Sequence, residues 1–161
     1  MNKMNIGFLI FFIIILGCAA LYLNYPSEKP FRCNAHVSTY FTSKDGKKLV
    51  LNLDLNVITA REGRSEVLAV GSVTGLDKDY VIARRIFISM KESDFKNLSK
   101  TLVTREERHP IDNLPEEIWR EYVLPEAPGV AFYAEAKKIR ENLYLIKGLT
   151  NPYFICTLSP R

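Results

Sequence analysis

Histidine, cysteine and tryptophan are scarce: the 161 residues include 2 His, 3 Cys and 1 Trp. His36 falls in an alternating stretch and His109 precedes Pro110. Neither has a His, Cys or Glu beside it at the spacing of a helical metal site. The chain also lacks a nucleophile elbow, a phosphate-binding glycine loop and a dinucleotide fingerprint. Asp45-Gly46-Lys47-Lys48 brings a glycine to lysines but reads better as a turn. Glu106-Glu107 and Glu116-Glu117 are the nearest thing to an acid–base pair, and solvated charge near a loop is the plainer reading. No catalytic residue, metal ligand or cofactor is therefore expected, and the chain is not expected to be an enzyme. Charge of one sign is not in great excess either: 22 Lys plus Arg against 18 Asp plus Glu give a net of +4. That is too little to imply a polyanion partner, and Arg84-Arg85, with only Phe87 beside it to stack, is too short for a nucleic-acid patch.

Against these absences stands one uncharged run. Ile6 to Leu23 contains no charged residue and includes Phe8, Phe11, Phe12 and Ile13-Ile14-Ile15-Leu16. Eighteen residues in a helix, at about 1.5 Å each, reach roughly 27 Å, close to the hydrocarbon thickness of a bilayer. Three readings arise. An uncleaved single-pass anchor is preferred, because the apolar stretch runs on past Cys18 to Leu23. A lipoprotein acylated at Cys18 would use Ile15-Leu16-Gly17-Cys18, although Leu16 is bulky for such a motif. A cleaved signal peptide would end at the small residues Gly17-Cys18-Ala19-Ala20. Lys3 on one side and Lys29 and Arg32 on the other leave the positive-inside count undecided.

With Cys18 in the apolar run, Cys33 and Cys156 stand near the two ends of the remaining chain. They are either two buried free thiols, which suits a cytosolic domain, or one disulfide in an oxidising compartment. The disulfide is preferred. It would close a loop worth on the order of 4 to 5 kcal/mol in a chain-entropy model and would place the domain outside the inner membrane. The expected organisation is a cytoplasmic tail over 1–5, a transmembrane helix over 6–23, a stiff Pro26- and Pro30-containing linker over 24–30 and a periplasmic β-domain over 31–161.

From Phe31 on, the hydrophobic period is two. Leu49, Leu51, Leu53, Leu55 and Val57 alternate with Val50, Asn52, Asp54 and Asn56, the pattern of a strand with one buried face. Asp45-Gly46 marks a hairpin joining Cys33–Thr42 to Leu49–Ile58, and Gly75 to Asp79 joins Glu66–Thr74 to Tyr80–Met90. Arg84 falls on the apolar side of that last strand, as a rim charge, a partner contact or the effect of a bulge. Leu98–Arg105, Val130–Ile139, Leu143–Gly148 and Tyr153–Leu158 complete eight strands. Asp112 to Tyr122, with Pro115 in the first turn and Glu116 and Glu117 near the favourable dipole end, predicts one short helix with Ile118, Trp119 and Tyr122 as its apolar stripe. The expected fold is mainly β (α+β), a curved antiparallel sheet or a barrel.

Phe31-Arg32-Cys33, Asp112-Asn113-Leu114-Pro115-Glu116-Glu117-Ile118-Trp119 with Tyr122-Val123-Leu124-Pro125, and the ending Asn142-Leu143-Tyr144-Leu145-Ile146 with Pro152-Tyr153-Phe154-Ile155-Cys156-Thr157 resemble the FidL-like family of small Gram-negative inner-membrane proteins. The resemblance covers nearly the whole chain, and its motifs are structural, not catalytic. It implies a lipocalin-like β-domain, alone or completed by a partner's strands, with room for a small apolar ligand. The implied partner is a membrane-bound winged-helix transcription regulator of the ToxR type, accompanied much as ToxS accompanies ToxR. An accessory protein of that kind needs an open sheet edge, expected at Tyr80–Met90 or Val130–Ile139, and an independent periplasmic ligand-binding module or lipoprotein needs a closed barrel with its own cavity.

Overall fold

The structure, a computed structural model, describes residues 11–20, 32–42, 46–60, 63–75, 78–95 and 97–159. Residues 11–20 form helix α1, with Phe11, Phe12 and the following isoleucines exposed. Among the described residues no helix is long and apolar enough to cross a membrane. Positions 6–10 and 21–23 of the expected span, and the linker 24–30, lie outside the described residues.

The alternating segments become eight strands: β1 (Arg32–Thr42), β2 (Lys48–Thr59), β3 (Arg64–Thr74), β4 (Tyr80–Glu92), β5 (Ser99–Arg108), β6 (Ala131–Arg140), β7 (Leu143–Lys147) and β8 (Pro152–Leu158). Each pairs antiparallel with its neighbours in chain order, and β8 returns to β1, so the sheet closes into a mainly β, lipocalin-like up-and-down barrel. Inward positions carry the core: Leu51, Leu53, Val57, Val67, Ala69, Val73, Ile82, Ile86 and Val103 pack with Leu114 and Trp119. Close approach sets local rules. A Cβ on Gly71 would lie 2.0 Å from the Asn52 carbonyl oxygen, so only glycine lets β3 curl against β2 there.

Two elements depart from expectation. The predicted helix over 112–122 shrinks to α2 (Glu116–Ile118), which runs on into a π-turn, Trp119–Val123. Asp112 and Asn113 cap nothing. They lie alongside β4, where the Val81 amide donates to Asn113 Oδ1 at 2.7 Å and the Ala83 amide to Asp112 Oδ2 at 3.0 Å. The second departure is a bulge in β5. Phe87 pairs with Arg105 and Ile88 with Val103, leaving Thr104 as the extra residue. The bulge reverses the phase of the alternation, so Glu106 and Arg108 face the interior that Val103 also faces.

Candidate functional site

Because the strands alternate up and down, the barrel has two distinct ends. One carries the start of β1 and the ends of β2, β4 and β6. The other carries the end of β3, the start of β4 and the long connection 109–130. That connection plugs its end of the barrel through a charge cluster centred on Arg84, which is 5% exposed. Arg84 Nε reaches Asp112 Oδ2 at 3.1 Å, its Nη1 reaches Glu116 Oε2 at 2.7 Å, and its guanidinium lies 4.4 Å from the Trp119 ring centroid. Arg108 Nε reaches Asp112 Oδ1 at 2.9 Å, and its Nη2 donates to the Leu114 carbonyl at 2.9 Å. Arg120 bridges Glu106 at 2.7 Å and Glu116 at 2.9 Å, while Trp119 Nε1 donates to Glu106 Oε2 at 3.1 Å.

Arg84, Arg108 and Arg120 thus balance Glu106, Asp112 and Glu116. Neither a rim charge nor a bulge accounts for Arg84, because the β5 bulge lies opposite Phe87 and Ile88 and Arg84 is buried. The reading of both Glu pairs as solvated charge also needs correction at one member of each. Glu106 is sequestered in the cluster and Glu116 joins it from the rim, while Glu107 stays on the surface with Arg105 at 3.0 Å. Burial pushes the Glu116 carboxyl up, but Arg84 and Arg120 outweigh it and hold it below its ordinary range. Burial likewise pushes Arg120 down, and Glu106 and Glu116 more than offset it. The cluster is buried at Arg84 and Asp112, nearly buried at Glu106, and reaches the surface through Arg108, Arg120 and Glu116, so it ties the connection to β4 and β5.

The opposite feature is the seam between β1 and β8. They share register only at Cys33 with Leu158 and at Asn34 with Thr157, supplemented by the Ser159 amide donating to the Arg32 carbonyl at 3.0 Å. The Cys33–Cys156 disulfide, with Cα atoms 5.6 Å apart, fastens the strands where the ladder ends. Beyond it no further β1–β8 pairs are in register. Since Arg32 turns its carbonyl toward β8, the period of two turns the backbone N–H and C=O groups of His36, Ser38 and Tyr40 the same way. No β8 residue is in register with these three. The outer faces of β1 and β2 carry a polar ladder here: Asn56 donates to Asn34, His36 Nδ1 lies 2.7 Å from Asp54 Oδ1, and Ser38 donates to Asn52 at 2.8 Å. Beside the seam runs an open trough of about 780 Å³ lined by Asn34, His36, Asp54, Asn56, Leu68 and Val70. Tyr153 of β8 donates to Glu126 of the 109–130 connection at 3.0 Å, and burial together with that carboxylate pushes its pKa up to about 12.

The two edges expected from sequence fare differently. Tyr80–Met90 is not an edge, because β4 pairs with β3 over Tyr80–Ser89 and with β5 over Arg84–Glu92, and the segment 109–113 covers Val81 and Ala83. In β6 only Ala131–Ala134 meets β5, leaving Glu135–Arg140 with β7 alone. The β1–β8 opening was not anticipated, since no strand in a sequence announces that its last neighbour stops short. His109 follows directly on β5, its amide donating to the Ala83 carbonyl.

No curated protein matches the chain. The family model for FidL-like putative membrane protein matches residues 71–156, from the middle of β3 to the seam cysteine of β8, and so takes in the whole Arg84 cluster. With more than half of its length inside that match, the chain belongs to the FidL-like family.

Proposed function

We propose that this chain is a single-pass inner-membrane accessory protein, anchored by Ile6–Leu23, whose periplasmic barrel binds a partner strand along the β1–β8 opening and performs no catalysis. The observation that supports this is the row of backbone groups at His36, Ser38 and Tyr40, which has no ladder partner among the described residues and is longer-range than the β5–β6 gap beside Glu135–Arg140 in that it separates the first strand from the last. A β-strand satisfies such a row by main-chain hydrogen bonding alone, and the neighbouring outer residues, with Tyr40 77% exposed, supply side-chain selectivity. The partner that the family resemblance implies is a membrane-bound winged-helix regulator of the ToxR type. Sharing one membrane face raises its effective concentration, so a weak edge contact suffices. Binding, stabilising or tuning that regulator is the function.

A photo-crosslinking residue at Ser38 in the full-length protein tests this. In native membranes it should trap the regulator, and the same probe at Phe87, on the outer face of the fully paired β4, should not. Equal trapping at both positions, or trapping at neither while the regulator's abundance is unchanged by deletion of this protein, overturns the reading.

A further inference from the structure

The barrel end at which the chain enters differs in charge from the plugged end. Arg32, Lys91, Lys100, Lys137, Lys138 and Arg140 are exposed at or near the entry end, and none has an ion-pair partner among the described residues. The exposed acids there are Glu92, Asp94 and Glu141, whereas the far end mixes both signs, with Asp79, Glu116, Glu117 and Glu121 exposed beside Lys47, Lys48 and Lys78. Two apolar side chains project among the basic ones: Phe95, 53% exposed in the β4–β5 turn, and Ile139, 48% exposed near the end of β6. Only the residues between 20 and 32 separate helix α1 from β1, a length that spans at most about 40 Å when fully extended.

We infer that the entry end of the barrel is a membrane-docking face, in which the basic rim meets anionic phospholipid headgroups and Phe95 and Ile139 enter the interfacial layer. This rests on the proposed anchor, which brings that end to the bilayer. It adds a defined orientation, with the plug directed away from the membrane, the Cys33–Cys156 join of β1 and β8 next to the lipid and the opening at His36–Tyr40 running from that join towards the plug. Each Lys or Arg close to an anionic surface favours the docked state by roughly fivefold, so Lys137, Lys138 and Arg140 together contribute about a hundredfold. Docking also covers the unpaired β6 edge at Glu135–Arg140, whose lysines otherwise guard it.

Hydrogen–deuterium exchange of the full-length protein tests this in nanodiscs of phosphatidylcholine alone and of phosphatidylcholine with phosphatidylglycerol. Failure to enter nanodiscs of either kind refutes the anchor itself. Given incorporation, amides in 93–98 and 137–142 should exchange about tenfold more slowly with phosphatidylglycerol present. That protection should disappear at about 1 M salt, where charges are screened within about 3 Å. It should also disappear in the combined Lys137→Glu, Lys138→Glu, Arg140→Glu variant, while the turns 75–79 and 148–151 stay unchanged. Identical exchange in both lipids overturns the inference. So does protection that arises only in native membranes, which assigns this face to a protein.

Discussion

The plugged end and the β1–β8 seam, two of the places where this barrel departs from a simple ladder, solve opposite problems. At the plugged end, charge that points inward is neutralised by side chains from a connection 22 residues long, and every partner is local to β4, β5 and that connection. At the seam, backbone groups point into a gap and one covalent bond substitutes for the hydrogen bonds that would close it. β1 and β2 pair over their full shared length from Arg32 to Thr42, whereas β1 and β8 meet at Cys33 and Asn34. The difference teaches that closure and rigidity are separable here: the sheet is a ring, but its ladder stops short at β1–β8, as it does in part at β5–β6, without disturbing its core.

That separation can be broken from either side. Replacing Cys33 or Cys156 with Ser removes the constraint on a loop of sequence separation 123, and should cost about 4 to 5 kcal/mol in urea unfolding. Amide exchange should quicken at 32–36 and 155–158 and stay unchanged at 109–124. Arg84→Ala should cost about 4 kcal/mol by stranding buried carboxylate, with exchange quickening at 109–124 and the seam unaffected. If either variant loosens both regions alike, they are one cooperative unit. A smaller effect is expected from Trp119→Phe, which keeps most of the buried ring but removes the donor to Glu106, at about 1 to 2 kcal/mol.

The smallest expected effect is that of acid. The Glu116 carboxyl titrates below its ordinary 4.5 in the folded state, so the unfolded chain binds the extra proton first. Its contribution is complete at neutral pH and fades as pH falls through and below that value. A stability–pH profile of Glu116→Gln should therefore converge on the parent at low pH and diverge from it above about pH 5. A constant offset across the range would mean that charge at Glu116 does not hold the plug.

Much of the fold was legible because alternation is a local signal. Leu49 to Val57 declares its buried face without knowledge of any neighbour, and Asp45-Gly46 and Gly75 to Asp79 mark reversals of direction, so the strand pairs came out within a few residues of their observed limits. The Arg84 cluster was not legible, for an identifiable reason. Arg84 does sit on the inward phase, but its acceptors come from Glu106, which only the Thr104 bulge turns inward, and from Asp112, whose side chain is diverted from helix capping to the β4 backbone. An inward Arg facing a charged neighbouring strand and a lone Trp just beyond was the available signal.

What the amino-acid sequence determined by itself is therefore everything set by short-range periodicity and composition: an apolar N-terminal run, a β-domain of eight amphipathic strands and two cysteines at the domain's ends. Only the tertiary structure decided which strand would be an edge, where a bulge would reverse a face and which carboxylates would meet Arg84. Those outcomes depend on how eight strands coil, tilt and close around a fixed volume of side chains, a constraint carried by the ring as a whole. The short join between β1 and β8 is the residue of that closure, and it is where the candidate site lies.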